Sequence, residues 1–161
     1  MTAKPARPDL YAAALACLAV AGIALAIRIA QPFEHGAWLV AYLVLVGFLA
    51  QLILGRGQTA LLSSGNLPMP SRRSGLAQTV LWNIGVVAVP LGVLAETRLA
   101  VVIGSVSLLA ALAFLWMAVR TVLASELRRR SRLGLGYVAL LLLMIASVFL
   151  GSALAWDMPW T

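Results

Sequence analysis

Gln31 to Leu54 reads QPFEHGAWLVAYLVLVGFLAQLIL, and this stretch decides the fold. From Ala37 to Leu54 it runs eighteen residues without a charge. At about 1.5 Å of rise per residue, such a helix spans most of a hydrocarbon core about 30 Å thick. One amide, Gln51, interrupts the apolar run. Glu34 and His35, the single histidine of the chain, stand at its mouth. The stretch therefore reads as a lipid-crossing helix whose entrance carries titratable groups.

The composition agrees. Of 161 residues, 63% are hydrophobic and 11% are charged, and the mean hydropathy is +1.00. A soluble domain carries about 25% charged residues. No globule of this length buries so much apolar surface, so the expected solvent is lipid. Length alone suggests one domain, a single transmembrane domain over residues 1–161. The single cysteine, Cys17, excludes an internal disulfide and any CxxC site. It lies in an apolar run, where a free thiol behaves as a small hydrophobe.

Working outward, Leu10 to Ile27 is a second uncharged run, closed by Arg28. It is longer than the 7–15-residue core of a cleaved signal peptide, and a first helix over about 10–30 is predicted. Helical steps back from Arg28 meet Ala24, Ala21, Cys17 and Ala14, all small. Small faces let helices approach closely in lipid, so this face is expected to contact protein, with Arg28 pointing into it. A second helix over about 37–54 is expected to use Ala37, Val40, Val44, Gly47 and Gln51 as its contact face, with the amide bonded across it. Trp38 and Tyr42 suit an interfacial aromatic anchor.

Residues 55–75 are dense in Gly, Ser, Asn and Pro and read as a loop. A third helix is predicted over about 76–95. It holds Gln78, Thr79, Asn83 and Pro90, whose ring clashes with the carbonyl of Val86 and predicts a kink. Glu96-Thr97-Arg98 reads as a tight turn. The fourth helix is expected over about 99–119, with a cytosolic extension to about 132 in which Glu126 stands four residues before Arg130. The fifth is expected over about 133–156, with a small-residue stripe of Ser147, Gly151 and Ala155. The predicted fold class is an all-α bundle of five transmembrane helices.

Five spans place the termini on opposite sides. With the amino terminus inside, the inner segments hold Lys4, Arg7, Arg56, Arg72, Arg73, Arg120, Arg128, Arg129, Arg130 and Arg132. The outer segments hold only Arg28 and Arg98. Ten inner and two outer residues account for all twelve basic residues. Cytoplasmic loops carry such an excess, so the expected orientation is amino terminus cytosolic and carboxyl terminus outside. The net charge of +7 then reflects sorting across a cell membrane, the inner membrane if the source is bacterial. Nucleic acid is not an expected partner, since no aromatic interleaving accompanies the arginines.

This orientation assigns Arg28, Glu34, His35, Glu96, Arg98 and Asp157 to the outer side, as candidate ligand-binding residues. Imidazole and carboxylates suit a divalent ion, but their spacing matches no metal motif and no metal site is assigned. A lone histidine can supply one axial ligand to haem. The dipeptide His35-Gly36 at the head of an apolar helix resembles the haem-bearing helices of haem–copper oxidase-like membrane proteins. The resemblance covers one helix and lacks those families' further histidines, so no residue is carried over.

Gln51, Gln78 and Asn83 form an intramembrane polar set. They suit either a pocket for a quinone, lipid headgroup or solute, or simple interhelical bonding worth about 0.6 kcal/mol each. Arg128, Arg129, Arg130 and Arg132 suit contact with anionic lipid. No nucleophile–base pair, P-loop or HExxH motif is present. The leading expectation is a small multi-pass membrane protein with a binding or accessory role beside a larger complex or in a homo-oligomer. A haem- or quinone-binding redox protein using His35, and a small solute transporter, are the alternatives.

Overall fold

The computed structural model describes residues 8–56, 71–124, 138–139, 142–146 and 148–149. All the regular structure among them is helical, in the order α1 (Pro8–Ala30), α2 (Gly36–Tyr42), a π-helix (Leu43–Leu49), α3 (residues 50–56), α4 (Arg72–Leu94) and α5 (Arg98–Ala124). Three helical stretches are long and apolar enough to cross a membrane: Leu10–Ala30, Gly36–Arg56 and Arg73–Leu94. The described parts of the fifth predicted helix, residues 138–139, 142–146 and 148–149, are also helical. Its small-residue stripe, Asp157 and the arginines at 128–130 and 132 lie outside the described residues. The chain divides into two compact units, Met1–Arg56 and Gly57–Thr161.

The first unit is a helical hairpin. Ala14, Ala21 and Ala24 of α1 are buried, as the small face required, together with Leu10. Across from them, Gly36, Leu43, Gly47, Ala50, Gln51, Leu54 and Gly55 are buried in the returning span. Two details differ from the sequence reading. Ala37, expected in the contact face, is exposed, and Gly36 faces inward instead. The cause is the π-helix. Its i→i+5 ladder, seen where Ala50 donates to the Leu45 carbonyl, sets the upper half of the span about one residue, roughly 100°, out of α register. Arg28, expected to point into protein, is exposed. Its aliphatic stem lies over Gly36, where an added Cβ would sit 3.1 Å from Cδ.

At the far end of this hairpin the Arg56 guanidinium lies 5.6 Å from the Tyr11 ring centroid. Arg56 therefore belongs to the second span, three residues longer than the run of apolar residues suggested.

The second unit contains the α4–α5 hairpin. Ser71 caps α4, its hydroxyl accepting from the Ser74 N–H at 3.2 Å, so the helix starts four residues before its apolar core. The two backbones touch along a row of glycines. A Cβ on Gly85 would lie 2.8 Å from the Gly104 carbonyl, and one on Gly104 would lie 2.8 Å from the Val89 nitrogen. A Cβ on Gly92 would lie 2.7 Å from the Val101 nitrogen. On the same side of α4 Gln78, Trp82, Val86, Val89 and Val93 are buried, at spacings of three and four. Leu76, Val80, Ile84, Val87 and Leu91 face outward on its other side.

The turn of this hairpin ends α4 in a Schellman motif. The Thr97 N–H donates to the Gly92 carbonyl at 2.8 Å, and the Glu96 N–H to the Val93 carbonyl at 3.3 Å. Such a motif needs a left-handed residue, usually glycine. Here it is Glu96, at φ 53°. The left-handed conformation costs an L-residue about 1–2 kcal/mol, while glycine pays about 0.5–1 kcal/mol in chain entropy. Glu96→Gly is therefore expected to stabilise the hairpin by about 0.5–1 kcal/mol, read as a higher unfolding midpoint in detergent. A lower midpoint would mean that the carboxylate matters more than the backbone.

Candidate functional site

Three sequence-predicted site residues share the turn of the first unit. Arg28 closes α1, placing a cation at the negative end of the helix. Glu34 and His35 occupy the centre of a tight turn in which the Gly36 N–H donates to the Phe33 carbonyl at 3.2 Å. His35 takes φ 61° and ψ 0° there, the geometry of the third residue of a type II turn, which normally calls for glycine or asparagine. Its carbonyl accepts from the Leu39 N–H at 2.9 Å and so starts α2. Buried Gly36 is roofed by the Phe33 ring, 3.0 Å from where a Cβ would lie, and by the Arg28 stem. The result is a half-buried imidazole on a constrained backbone, beside an exposed guanidinium and an exposed carboxylate.

Glu96 and Arg98 lie in the turn of the second unit, and both are exposed. Asp157 lies outside the described residues. The structure thus brings Arg28, Glu34 and His35 into one turn and Glu96 and Arg98 into another. Among the described residues no three His, Cys, Asp or Glu side chains converge as a metal site would require.

The intramembrane polar residues also separate into two places. Gln51 is fully buried, and its Nε2 donates to the Cys17 Sγ at 3.7 Å. This bond crosses the first hairpin. The sequence reading anticipated a bonded amide but treated Cys17 only as a small hydrophobe. The signal lay in depth: Cys17 is seven residues past Leu10, and Gln51 is five before Arg56, so antiparallel helices bring them level. Cys17→Ala removes the acceptor and is expected to cost about 0.6 kcal/mol, the average for an interhelical bond in lipid. A loss beyond about 2 kcal/mol in a reversible unfolding assay would mark the pair as more than a helix contact.

In the α4–α5 hairpin three polar side chains bond back to their own helices. The Thr79 hydroxyl donates to the Gly75 carbonyl at 3.0 Å. The Asn83 amide donates to the Thr79 carbonyl at 2.8 Å, and the Ser107 hydroxyl to the Ile103 carbonyl at 2.8 Å. Back-bonding of this kind satisfies a polar side chain in lipid without another helix. Gln78 and Thr79 are buried and Asn83 is half-buried. Pro90 lies inside α4 one turn beyond Val86.

No protein-family model matches the chain, and no curated protein or solved structure matches it.

Proposed function

We propose that the chain is a five-span membrane protein, amino terminus in the cytosol, that acts as a binding or accessory subunit within a larger complex or homo-oligomer. The observation that carries this reading is the outward face of α1. Ala12, Ala16, Ala19, Gly22 and Ala26 are exposed, on the side opposite Ala14, Cys17, Ala21 and Ala24. A Cβ on Gly22 would meet nothing within 4 Å. The hairpin buries one small face of α1, and a second row of small residues stands exposed beside Leu15 and Ile23. A second close-approach face suits another helix better than lipid tails.

The test is a photo-crosslinking residue at Gly22 in living cells. An adduct with another membrane protein, or a dimer of the chain, supports the reading. Adducts confined to lipid or to the same polypeptide overturn it. The orientation rests on the ten-to-two partition of basic residues. A reporter at Thr161 that reads cytosolic overturns it.

The turn conformation of His35 favours a second reading, a redox protein carrying haem at that residue. Strained backbone persists where its surroundings enforce it, and it concentrates at ligand clamps. A Soret band in the purified protein that His35→Ala abolishes supports this reading. A colourless protein overturns it and leaves the accessory role.

A further inference from the structure

We propose that the second span has two registers, and that the π-helix Leu43–Leu49 is the element that switches between them. This goes beyond the accessory role and rests only on the first unit. Seven consecutive residues hold the π form in the middle of a 21-residue span. Long π segments are rare, because the i→i+5 ladder is a poorer structure than the α-helix on either side. The contacts on its two sides differ in kind.

Below the π-helix the contacts are specific. Gln51 is bonded to Cys17, Leu10 lies against Gly55 at 3.5 Å from a would-be Cβ, and Arg56 covers Tyr11. Above it they are generic. Gly36 lies under the Phe33 ring and the aliphatic stem of Arg28. In the π form Ala37, Ala41, Leu45 and Leu49 make one exposed stripe, while Trp38 and Tyr42 are half-buried and stacked, with centroids 5.2 Å apart.

Conversion to a continuous α-helix, with α3 fixed on Cys17, turns the upper half by about 100°. Ala37 then swings toward α1, and Val44 joins Val40, Gly47 and Gln51 on one continuous face. The Trp38–Tyr42 pair turns outward. The π register buries Gly36, Leu43 and Gly47, and the α register puts Ala37, Val40 and Gly47 in their place, with the Phe33 ring and Arg28 stem shifting to admit the Ala37 methyl. The rotation has to be absorbed between α1 and α2, where His35 holds φ 61°. The span and the His35 turn therefore change together, and anything that binds at the turn biases the register.

The test is ¹⁹F NMR of the full-length protein in nanodiscs, labelled with 5-fluorotryptophan. The chain has five tryptophans, and Trp38→Phe assigns the Trp38 resonance. Two exchanging Trp38 lines are expected, beside a single line for Trp82 in the other hairpin. Deleting Leu45, which is exposed, removes the extra residue of the π form. It is expected to collapse Trp38 onto the line that is minor in the unaltered protein. A single Trp38 line in the unaltered protein from 5 to 45 °C overturns the proposal, whether or not the deletion variant folds. So does a deletion variant whose Trp38 line matches the major state.

Discussion

Gly104→Ala is expected to destabilise the α4–α5 hairpin by about 2 kcal/mol and Gly104→Leu to prevent it from closing, while Gly22→Ala is expected to leave the isolated chain unchanged or more stable. A methyl at Gly104 would sit 2.8 Å from the Val89 nitrogen and 2.6 Å from a Val89 methyl. The first of these is backbone, so no rotamer change relieves it. Inserting carbon into a packed contact costs about 1–3 kcal/mol, and about 1 kcal/mol of helix propensity gained on replacing glycine offsets only part of that. Gly85, whose Cβ would meet Leu108 and the Gly104 carbonyl, sits in the same contact. Gly85→Ala with Gly104→Ala is therefore expected to cost less than the sum of the two. Gly22→Ala adds a methyl into open space. Unfolding midpoints in mixed micelles rank the variants. A Gly104→Ala protein as stable as Gly22→Ala would show that the α4–α5 hairpin is not held by backbone approach.

This contrast explains what could be read in the sequence. Charge-free runs and the small face of α1 are local patterns, and hydropathy plus a 3.6-residue period captures them. Helices near 10–30, 37–54, 76–95 and 99–119 therefore appear within a few residues of their positions. Their edges move where hydropathy is silent. Ser71 starts α4 through a hydrogen bond, before the apolar core begins, and the span entered at Gly36 continues to Arg56, held by a ring contact. The π-helix could not be read at all. Nothing in LVLVGFL distinguishes an i→i+5 ladder from an i→i+4 one, because both ladders use the same apolar residues. The left-handed backbone at His35 and Glu96 was equally hidden, since both positions normally advertise themselves as glycine. Of the candidate site, the grouping of Arg28, Glu34 and His35 was legible because a short turn keeps sequence neighbours together. The partner of Gln51 was less so, because it required matching depths on two helices.

Trp82→Ala is expected to cost about 3 kcal/mol, at the low end of the range for removing a buried aromatic side chain. Trp82 is the largest fully buried side chain among the described residues, 1% exposed. The antiparallel register that sets Val89 against Gly104 and Gly92 against Val101 places Trp82 level with Ala111, also 1% exposed. One helix thus supplies a large residue where the other supplies a small one. In water, truncation forfeits both hydrophobic transfer and packing. In lipid the transfer gain largely vanishes, since acyl chains are as apolar as the hairpin interior. What remains is lost dispersion around a cavity, which is why the low end applies. The same reasoning makes packing volume the quantity to vary. Trp82→Ala combined with Ala111→Leu is therefore expected to recover at least about 1 kcal/mol of the loss, whereas Ala111→Leu alone is expected to destabilise by about 1–3 kcal/mol through overpacking. Strictly additive losses in this cycle would mean that Trp82 and Ala111 do not share a contact, and that the tryptophan is held by its own helix.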